Sequence, residues 1–477
     1  MDRKAAEQLT DEKESLITCR TTQGVDLRAS VVRISRHLAV FEIYNTQVVL
    51  RLSEVLSDFR VLLAGSPVYA GRAVISGIVH SGTVIVCEAS LEEGWIESEV
   101  FASLADQDRL RAAFEGFMRQ WEKVYRIMPE YKLLIADMHS YLSDMRLWLD
   151  QVELGVRAAP SGDRLQLERE AVAELSKPVI PAMNALFGKF ESLVEGIAEN
   201  ERPAHHGYIK RHIHPLVLCS PFAYRTFNKP LGYAGDYEMV NMILRDPQEG
   251  GSIFAKVLNS WFISQPPAEA HRNRVRYLTQ KLAQETLRAK NEGRTARIYN
   301  LGCGPAQEVQ DFLACNDISD WAQFVLLDFN EETLQHAQNV VEGAKKRAQR
   351  RTSIQYARKS VVQVLKTGAK VQTNSAENKY DFLYCAGLFD YLPDRVCKDL
   401  LNIFYGMLAP GGLLITTNVD TSNPIRHMLD FVLEWYLIYR NGRQMLGLKP
   451  DDAPADNVSI CSDNTGVNVF LEVRKPA

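Results

Sequence analysis

The 477-residue sequence contains no uninterrupted apolar run approaching the roughly 18 residues that cross a bilayer, so no transmembrane segment is expected. Its eight cysteines form no C-x-x-C pair, which removes the common zinc and redox spacings. They are expected as buried or free thiols in a reducing, cytoplasmic setting, with no metal site. Neither sign of charge dominates. A formal net charge of −4 gives no electrostatic reason to expect a nucleic-acid partner. The opening residues, MDRKAAEQLTDEKES, lack the apolar stretch of a secretory signal. Internal repeats and low-complexity segments are absent too. What is present is a hydrophobic content of 46% beside 24% charged residues, ordinary for a folded soluble chain. The length exceeds a single core and suggests two to four domains.

Four regions differ in pattern. Residues 1–100 carry six short β-branched runs between 15 and 98, divided by Gly, Ser and Asp, which predicts a small β-barrel or sandwich. Residues 101–200 change period. Leu110, Phe114, Phe117, Trp121, Val124 and Met128 step by three or four, an amphipathic helix, and a second helix is expected through Leu133, Met138, Leu142, Met145, Leu147 and Leu149. A third helix is expected from Arg164 to about Glu199, interrupted at Pro178 and Pro181. Together these predict a helical bundle, with a homodimer through it or through the N-terminal part as one use of its stripes. Residues 201–290 are aromatic, histidine-rich and turn-rich, then helical from His271, and read as a cap and substrate lid. Residues 291–477 alternate strand and helix, the mark of a doubly wound α/β sheet.

Within that last region the strand 296–301 runs directly into Gly302-Cys303-Gly304 and a helix. Glycines at such a turn let a ligand lie against the backbone. The strand 324–328 ends in Asp328, and an acid there accepts hydrogen bonds from both ribose hydroxyls, each contributing roughly 1.5–3 kcal/mol. Dinucleotide folds place a small residue third in G-x-G-x-x-G/A, where the pyrophosphate meets the helix. Gln307 stands there, which argues against a pyrophosphate. The strand 379–385 then leads into Ala386-Gly387-Leu388-Phe389-Asp390-Tyr391, followed by a helix, Ala409-Pro410-Gly411-Gly412, another strand, and a closing hairpin.

In these motifs the region resembles class I S-adenosylmethionine-dependent methyltransferases. The resemblance implies a Rossmann-like α/β class I methyltransferase domain with a helical cap, preceded by a helical bundle and a small N-terminal β-barrel. It also implies roles. Gly302, Cys303 and Gly304, with Asn300 before them, would line the methionine moiety, Asp328 would hold the ribose, and Phe329 would flank the adenine. Cys385 and Gly387 would face the sulfonium. The acid that often contacts the adenine amine has no counterpart at Lys359-Ser360-Val361, so Ser360 or backbone would serve.

The stretch Lys229-Pro230-Leu231-Gly232-Tyr233-Ala234-Gly235-Asp236-Tyr237-Glu238-Met239 concentrates turns and polar aromatics. With it, residues 200–477 resemble bacterial methyltransferases of 3-hydroxypalmitic acid methyl ester biosynthesis, a quorum-sensing signal. That implies a small-molecule acceptor with an acyl tail. A carboxylate acceptor needs no base, whereas a hydroxyl or amine does, and His205, His206, Tyr233 and Asp390 are then the candidates. Arg225 could pair with an acceptor carboxylate as a two-pronged donor. His205, His206, His212 and His214 lack the Cys or carboxylate pattern of a metal site, so packing and capping roles are expected for most of them. Phe389, Tyr391 and the amphipathic stretch 428–439 could line an apolar channel.

The N-terminal strands resemble PilZ-type barrels, which bind cyclic di-GMP through R-x-x-x-R and D/N-x-S-x-x-G. Ser35 matches, but Arg33 and Leu38 replace the acid and glycine, and Gly24 stands four residues after Arg20. Cyclic di-GMP is therefore not expected as a ligand, and protein contacts or dimerisation are the expected use of this part. Three classes of function stay open: a methyltransferase for a carboxylate, one for another oxygen or nitrogen acceptor, and a regulatory protein that senses the cofactor without turnover. The Asn/Asp-Pro-Pro-Tyr/Phe motif used on flipped bases is absent after the fourth strand, so nucleic acid is not an expected substrate.

Overall fold

The computed structural model describes residues 16–43, 49–63, 66–81, 84–92, 94–95, 111, 115, 127–368 and 379–477. The helix expected from Leu110 to Met128 lies almost wholly outside them.

The N-terminal runs form strands β1 (Leu16–Arg20), β2 (Asp26–Ser35), β3 (Leu38–Ile43), β4 (Val55–Leu63), β5 (Ser66–Ser81) and β6 (Val84–Leu91), closed into a barrel in the order β1-β2-β3-β6-β5-β4. All its pairings are antiparallel, and closure removes the exposed edges an open sheet would leave. Alternation places Ile17, Leu27, Phe41, Phe59 and Tyr69 inside. Phe41 and Phe59 meet at 5.9 Å, and Phe59 meets Tyr69 at 6.0 Å. Each such ring contributes about 1.5–3 kcal/mol by leaving water.

Helices α1 (Pro129–Ala158), α2 (Arg164–Glu195), α3 (Arg202–Val217), α4 (Pro221–Asn228), α5 (Tyr237–Leu244) and α6 (Ile253–Ile263) follow. Two expectations are corrected here. Helix α2 is continuous through Pro178 and Pro181. A proline inside a helix costs about 3 kcal/mol, and the packing of Val179, Met183, Phe187 and Phe190 outweighs it: Phe187 lies 4.7 Å from the ring of Trp261, whose indole N–H donates to Asn184 Oδ1 at 2.8 Å. The division at residue 200 separates no cores, because one apolar cluster runs from Tyr131 through Phe190, Ile209 and Trp261 to Phe431. Bundle and cap are a single helical layer.

Helix α7 (Pro266–Asn291) leads into the sheet and packs on it through Leu278, Leu282 and Ala289. Strands and helices then alternate: β7 (Ala296–Leu301), α8 (Gln307–Cys315), β8 (Ala322–Asp328), α9 (Glu331–Arg347), β9 (Ser353–Arg358), α10 (Val361–Gly368), β10 (Tyr380–Cys385), α11 (Asp394–Met407), β11 (Leu408–Val419), α12 (Arg426–Leu433), α13 (Gly442–Gly447), β12 (Val458–Ser462) and β13 (Asn468–Arg474). The sheet order is β12-β13-β11-β10-β7-β8-β9, parallel except that β13 runs antiparallel to both β11 and β12. Strand order reverses between β7 and β10, so a crevice opens beyond their carboxyl ends.

The stretch expected as one amphipathic element at 428–439 is helical only to Leu433. Glu434 takes a left-handed conformation (φ 49°) and turns inward. Arg72 of the barrel and Lys210 of α3 meet its carboxylate at 2.7 and 2.6 Å. Those cations hold its pKa well below the usual range despite burial. Helix α12 ends there because a buried carboxylate must reach both cations, and that contact ties barrel, cap and sheet domain together.

Candidate functional site

The cavity at the crevice is lined by the turn after β7, the tip of β8, the turn after β10, helices of the cap, and residues of the barrel. Gly302 (φ 74°) and Gly304 (φ 52°) adopt conformations that favour glycine. The amides of Gly302 and Cys303 both donate to the carbonyl of Leu327, at 2.8 and 2.9 Å, which fixes the loop against β8. Asp328 is buried, and its carboxylate accepts from the amides of Asn330 at 3.0 Å and Gly304 at 3.3 Å. Burial raises its pKa, and these amide donors and Arg51 oppose the rise.

Deeper in the same end, Glu308 in the first turn of α8 accepts from the Tyr384 hydroxyl at 2.8 Å and from Asn300 Nδ2 at 3.3 Å. Burial raises the Glu308 pKa as well. Asn300 Oδ1 is buried without a hydrogen-bond partner among the described residues. A buried acceptor beside a buried carboxylate fits a cationic donor group such as an α-ammonium. An acid at the tip of β8 fits a ribose, and Phe329 beside it offers a ring face to a base. The residues present therefore suit S-adenosylmethionine, with Asn300 and Glu308 at its amino-acid end and Asp328 and Phe329 at its nucleoside end.

The sequence-predicted residues separate into two groups. Asn300, Gly302, Cys303, Gly304, Asp328, Phe329, Ser360, Gly387, Tyr233 and Asp390 line this one cavity. Ser360 begins α10, its amide donating to Gln363 Oε1 at 2.8 Å. Gly387 (φ 86°) donates its amide to Thr417 Oγ1 at 3.0 Å. Asp390 accepts from the Val419 amide at 2.7 Å, and burial pushes its pKa up to about 6.

Cys385, Arg225 and His205 are placed elsewhere, and those expectations are corrected. The Cys385 side chain turns into the apolar cluster around Phe389, Leu401 and Leu414 and does not line the cavity. Arg225 is spent on Asp236, its Nε donating to both oxygens at 2.9 and 3.1 Å. Asp236 in turn caps α5 by accepting from the Met239 amide at 2.9 Å. His205 accepts from the Met128 amide at 3.1 Å and packs on Tyr131 at 4.8 Å, joining α1 to α3. Nor do the other histidines converge: His214 bonds to the carbonyl of Val432 and His212 stacks on Tyr208.

The segment 229–239 covers the Asp328 and Phe329 end of the cavity rather than its apolar end. Tyr233 approaches Phe329 at 5.0 Å and shares a hydrogen bond with Thr333 at 3.2 Å. Burial and the neighbouring Asp328 raise its pKa well above the range of a base at neutral pH. Tyr233, expected on the acceptor side, thus stands beside Phe329 and Thr333 in the cavity wall. Gly232 and Gly235 are required here. A Cβ on Gly232 (φ 82°) would meet Thr22 Cγ2 of the barrel at 2.5 Å, and one on Gly235 (φ 74°) would meet the Tyr391 hydroxyl at 2.5 Å.

Arg51 is a cavity-lining residue that the sequence did not reveal. It stands just before β4 in the barrel, and its guanidinium lies over the Phe329 ring at 4.1 Å and the Tyr233 ring at 5.1 Å. Glu308 was missed too, although an acid one turn after a glycine loop is a readable signal. Beyond Gly387 the cavity becomes apolar, walled by Val240 and Ile243 of α5, Phe262 of α6 and Met428, Leu429 and Leu433 of α12.

Sheet order, glycine turn and terminal acid are together those of the methyltransferase-like α/β fold. No protein-family model matches the chain, and no curated protein matches it. Solved structures do resemble parts of it. A possible exported protein from Bordetella parapertussis is 18% identical, with 63% of this chain and 97% of that one covered and a TM-score of 0.40. Magnesium protoporphyrin IX methyltransferase (ChlM) from Synechocystis PCC 6803, bound to SAH, is 13% identical over 49% of this chain and 90% of that one, with a TM-score of 0.32. The N-methyltransferase NodS from Bradyrhizobium japonicum WM9, in complex with S-adenosyl-L-homocysteine, is 13% identical over 50% and 98%, with a TM-score of 0.29. Likeness at this level concerns fold and says nothing of a substrate.

Proposed function

We propose that this chain is an S-adenosylmethionine-dependent methyltransferase acting on a small molecule, and that its reaction is O-methylation of a carboxylate such as that of a hydroxylated fatty acid. One observation carries the reading. A single cavity has a polar end built from Asp328, Asn300 and Glu308 and an apolar end walled by the cap, with the Gly387 turn where they meet. When bound, S-adenosylmethionine supplies an already activated methyl group. The protein then has to align the acceptor and exclude water. Asp328 and Glu308 hold the two ends of the cofactor, Tyr233 and Phe329 cover the base, and the cap shields the acceptor. A carboxylate acceptor has no proton to lose, which suits an apolar chamber with few groups free to act as a base.

Asp390 favours a second reading. With its pKa near 6, this cavity-lining carboxyl could take a proton from a hydroxyl or amine acceptor. Calorimetric titration with S-adenosylhomocysteine and NADH, then transfer of labelled methyl to fatty acids, fatty alcohols and amines, tests both readings. Binding of S-adenosylhomocysteine with label appearing in fatty acids is the expected result. NADH binding in its place would point to a dehydrogenase, and cofactor binding without turnover on any acceptor would point to a sensor.

A further inference from the structure

Arg274 stands on α7 at the junction of the two ends of the cavity. A Cβ built on Gly387 would lie 3.0 Å from its Nη1 and 3.2 Å from its Nη2, so the guanidinium fills the space that glycine leaves open in the turn after β10. Its one hydrogen-bond partner among the described residues is His271, whose Nδ1 accepts from Nη2 at 2.7 Å. Burial and the neighbouring arginines hold His271 neutral.

No carboxylate of the described residues forms an ion pair with Arg274, although Asp390 and Glu308 are close enough to act on its charge. Both acids are engaged elsewhere, Asp390 by the Val419 amide and Glu308 by Tyr384 and Asn300. Arg225, by contrast, has its acid in Asp236. A guanidinium carries five N–H donors, and one of them is used here. Arg274 is partly buried, and drawing a cation even partly out of water without an anion is costly.

We propose that Arg274 is the group that binds the acceptor's carboxylate, as a two-pronged pair beside Gly387, with the acceptor's apolar tail running between α5, α6 and α12. The assignment rests on the methyltransferase reading above and names the residue that selects its substrate. A carboxylate offers about four lone-pair sites, and a two-pronged pair occupies two, so the oxygens keep lone pairs to accept a methyl group. The pair also sets direction. With the head held at Gly387, the tail can extend only toward Val240, Phe262 and Met428. An alcohol of the same length would leave the guanidinium unpaired, and that is how a buried polar site rejects an analogue.

The full-length chain, its Arg274→Gln variant and its Arg274→Lys variant would each be titrated with octanoate, dodecanoate, hexadecanoate and dodecanol. S-adenosylhomocysteine would be titrated in parallel. The wild type is expected to bind at least one of the three carboxylates at least about tenfold more tightly than dodecanol. Arg274→Gln should abolish that preference while S-adenosylhomocysteine affinity stays within about twofold, a change under about 0.5 kcal/mol. Arg274→Lys keeps the charge but not the fork, so an intermediate preference is expected. Equal carboxylate affinity in wild type and Arg274→Gln would overturn the assignment. So would a wild type that binds S-adenosylhomocysteine but no carboxylate, and in that case the methyltransferase reading stands. Loss of S-adenosylhomocysteine binding in the wild type is the separate outcome that removes both. If Arg274→Gln fails to fold, Arg274→Lys decides, and unchanged carboxylate preference in it counts against the two-pronged pair.

Discussion

Replacing Arg51 with alanine tests whether the N-terminal barrel belongs to the cofactor site or only sits beside it. Arg51 is 5% exposed, and its guanidinium lies at 4.1 Å from the Phe329 ring centre and 5.1 Å from that of Tyr233. Its Nη2 donates to Thr22 Oγ1 at 3.2 Å, and its own amide donates to Glu54 Oε2 at 3.2 Å. The barrel therefore holds the cation rigidly against the two rings that bound the nucleoside end. A desolvated cation–π contact is worth about 1–2 kcal/mol, and the charge also opposes the pKa rise of Asp328. If both rings must be held for the base to stack, Arg51→Ala should weaken S-adenosylhomocysteine binding by about 1–2 kcal/mol, or roughly 5- to 30-fold. Calorimetric titration gives the affinity, and the melting temperature without ligand shows whether the fold survived. Arg51→Lys should fall between, because a compact ammonium stacks less well than a flat guanidinium. An Arg51→Ala protein with wild-type affinity and wild-type melting temperature would refute the reasoning and leave the barrel outside the site.

Asp328→Ala removes the ribose acceptor and should weaken S-adenosylhomocysteine binding by about 2–4 kcal/mol, and unchanged affinity by calorimetry would defeat the placement of the cofactor. Arg225→Ala leaves Asp236 buried without its cation and should lower stability by about 3–5 kcal/mol in denaturant titration. Adding Asp236→Asn should recover part of that loss, whereas a variant that loses turnover at full stability would return Arg225 to the chemistry. Burial pushes the Asp430 carboxyl up to about 7, so between pH 4 and 7 the folded state holds a proton that the unfolded state has released. This contribution to stability falls as pH rises through that window, and Asp430→Asn escapes it. The melting temperature of Asp430→Asn relative to wild type should therefore be higher at pH 8 than at pH 5, and a constant difference would contradict the shift.

Elements with strong local signals were legible in the sequence. The six barrel strands follow from β-branched runs and alternation, because an inward face such as Leu27 and Ala29 alternates with the polar Asp26 and Arg28 along the same strand. The glycine turn and Asp328 are equally local, since a strand, a backbone conformation and a terminal acid lie within some thirty residues. Signals failed where tertiary packing decided. Pro178 and Pro181 predict a break that the burial of Phe187 and Phe190 overrides. Residues 434–439 continue an amphipathic pattern, yet Glu434 leaves the helix because two cations wait for it, one 362 residues earlier in the chain.

The site residues follow the same division, and it bears on what the barrel contributes. Arg225 stands among polar aromatics, but its acid is eleven residues on, across two turns, where no local pattern pairs them. Arg51, in the loop before β4, and Arg274, on helix α7, carry no local motif. What distinguishes them is what lies opposite: two rings for one, and for the other a glycine turn with no ion-paired acid among the described residues. Neither circumstance is encoded near the residue itself. The barrel's backbone continues the pattern, since the Val55 amide donates to the carbonyl of Gly232 at 2.7 Å, within the loop that carries Tyr233. Because that loop also touches Phe329, any displacement of the barrel must move a wall of the nucleoside end. An accessory barrel joined to the sheet domain only by a linker would have no such contact, so its strands and the cofactor site are parts of one mechanical unit.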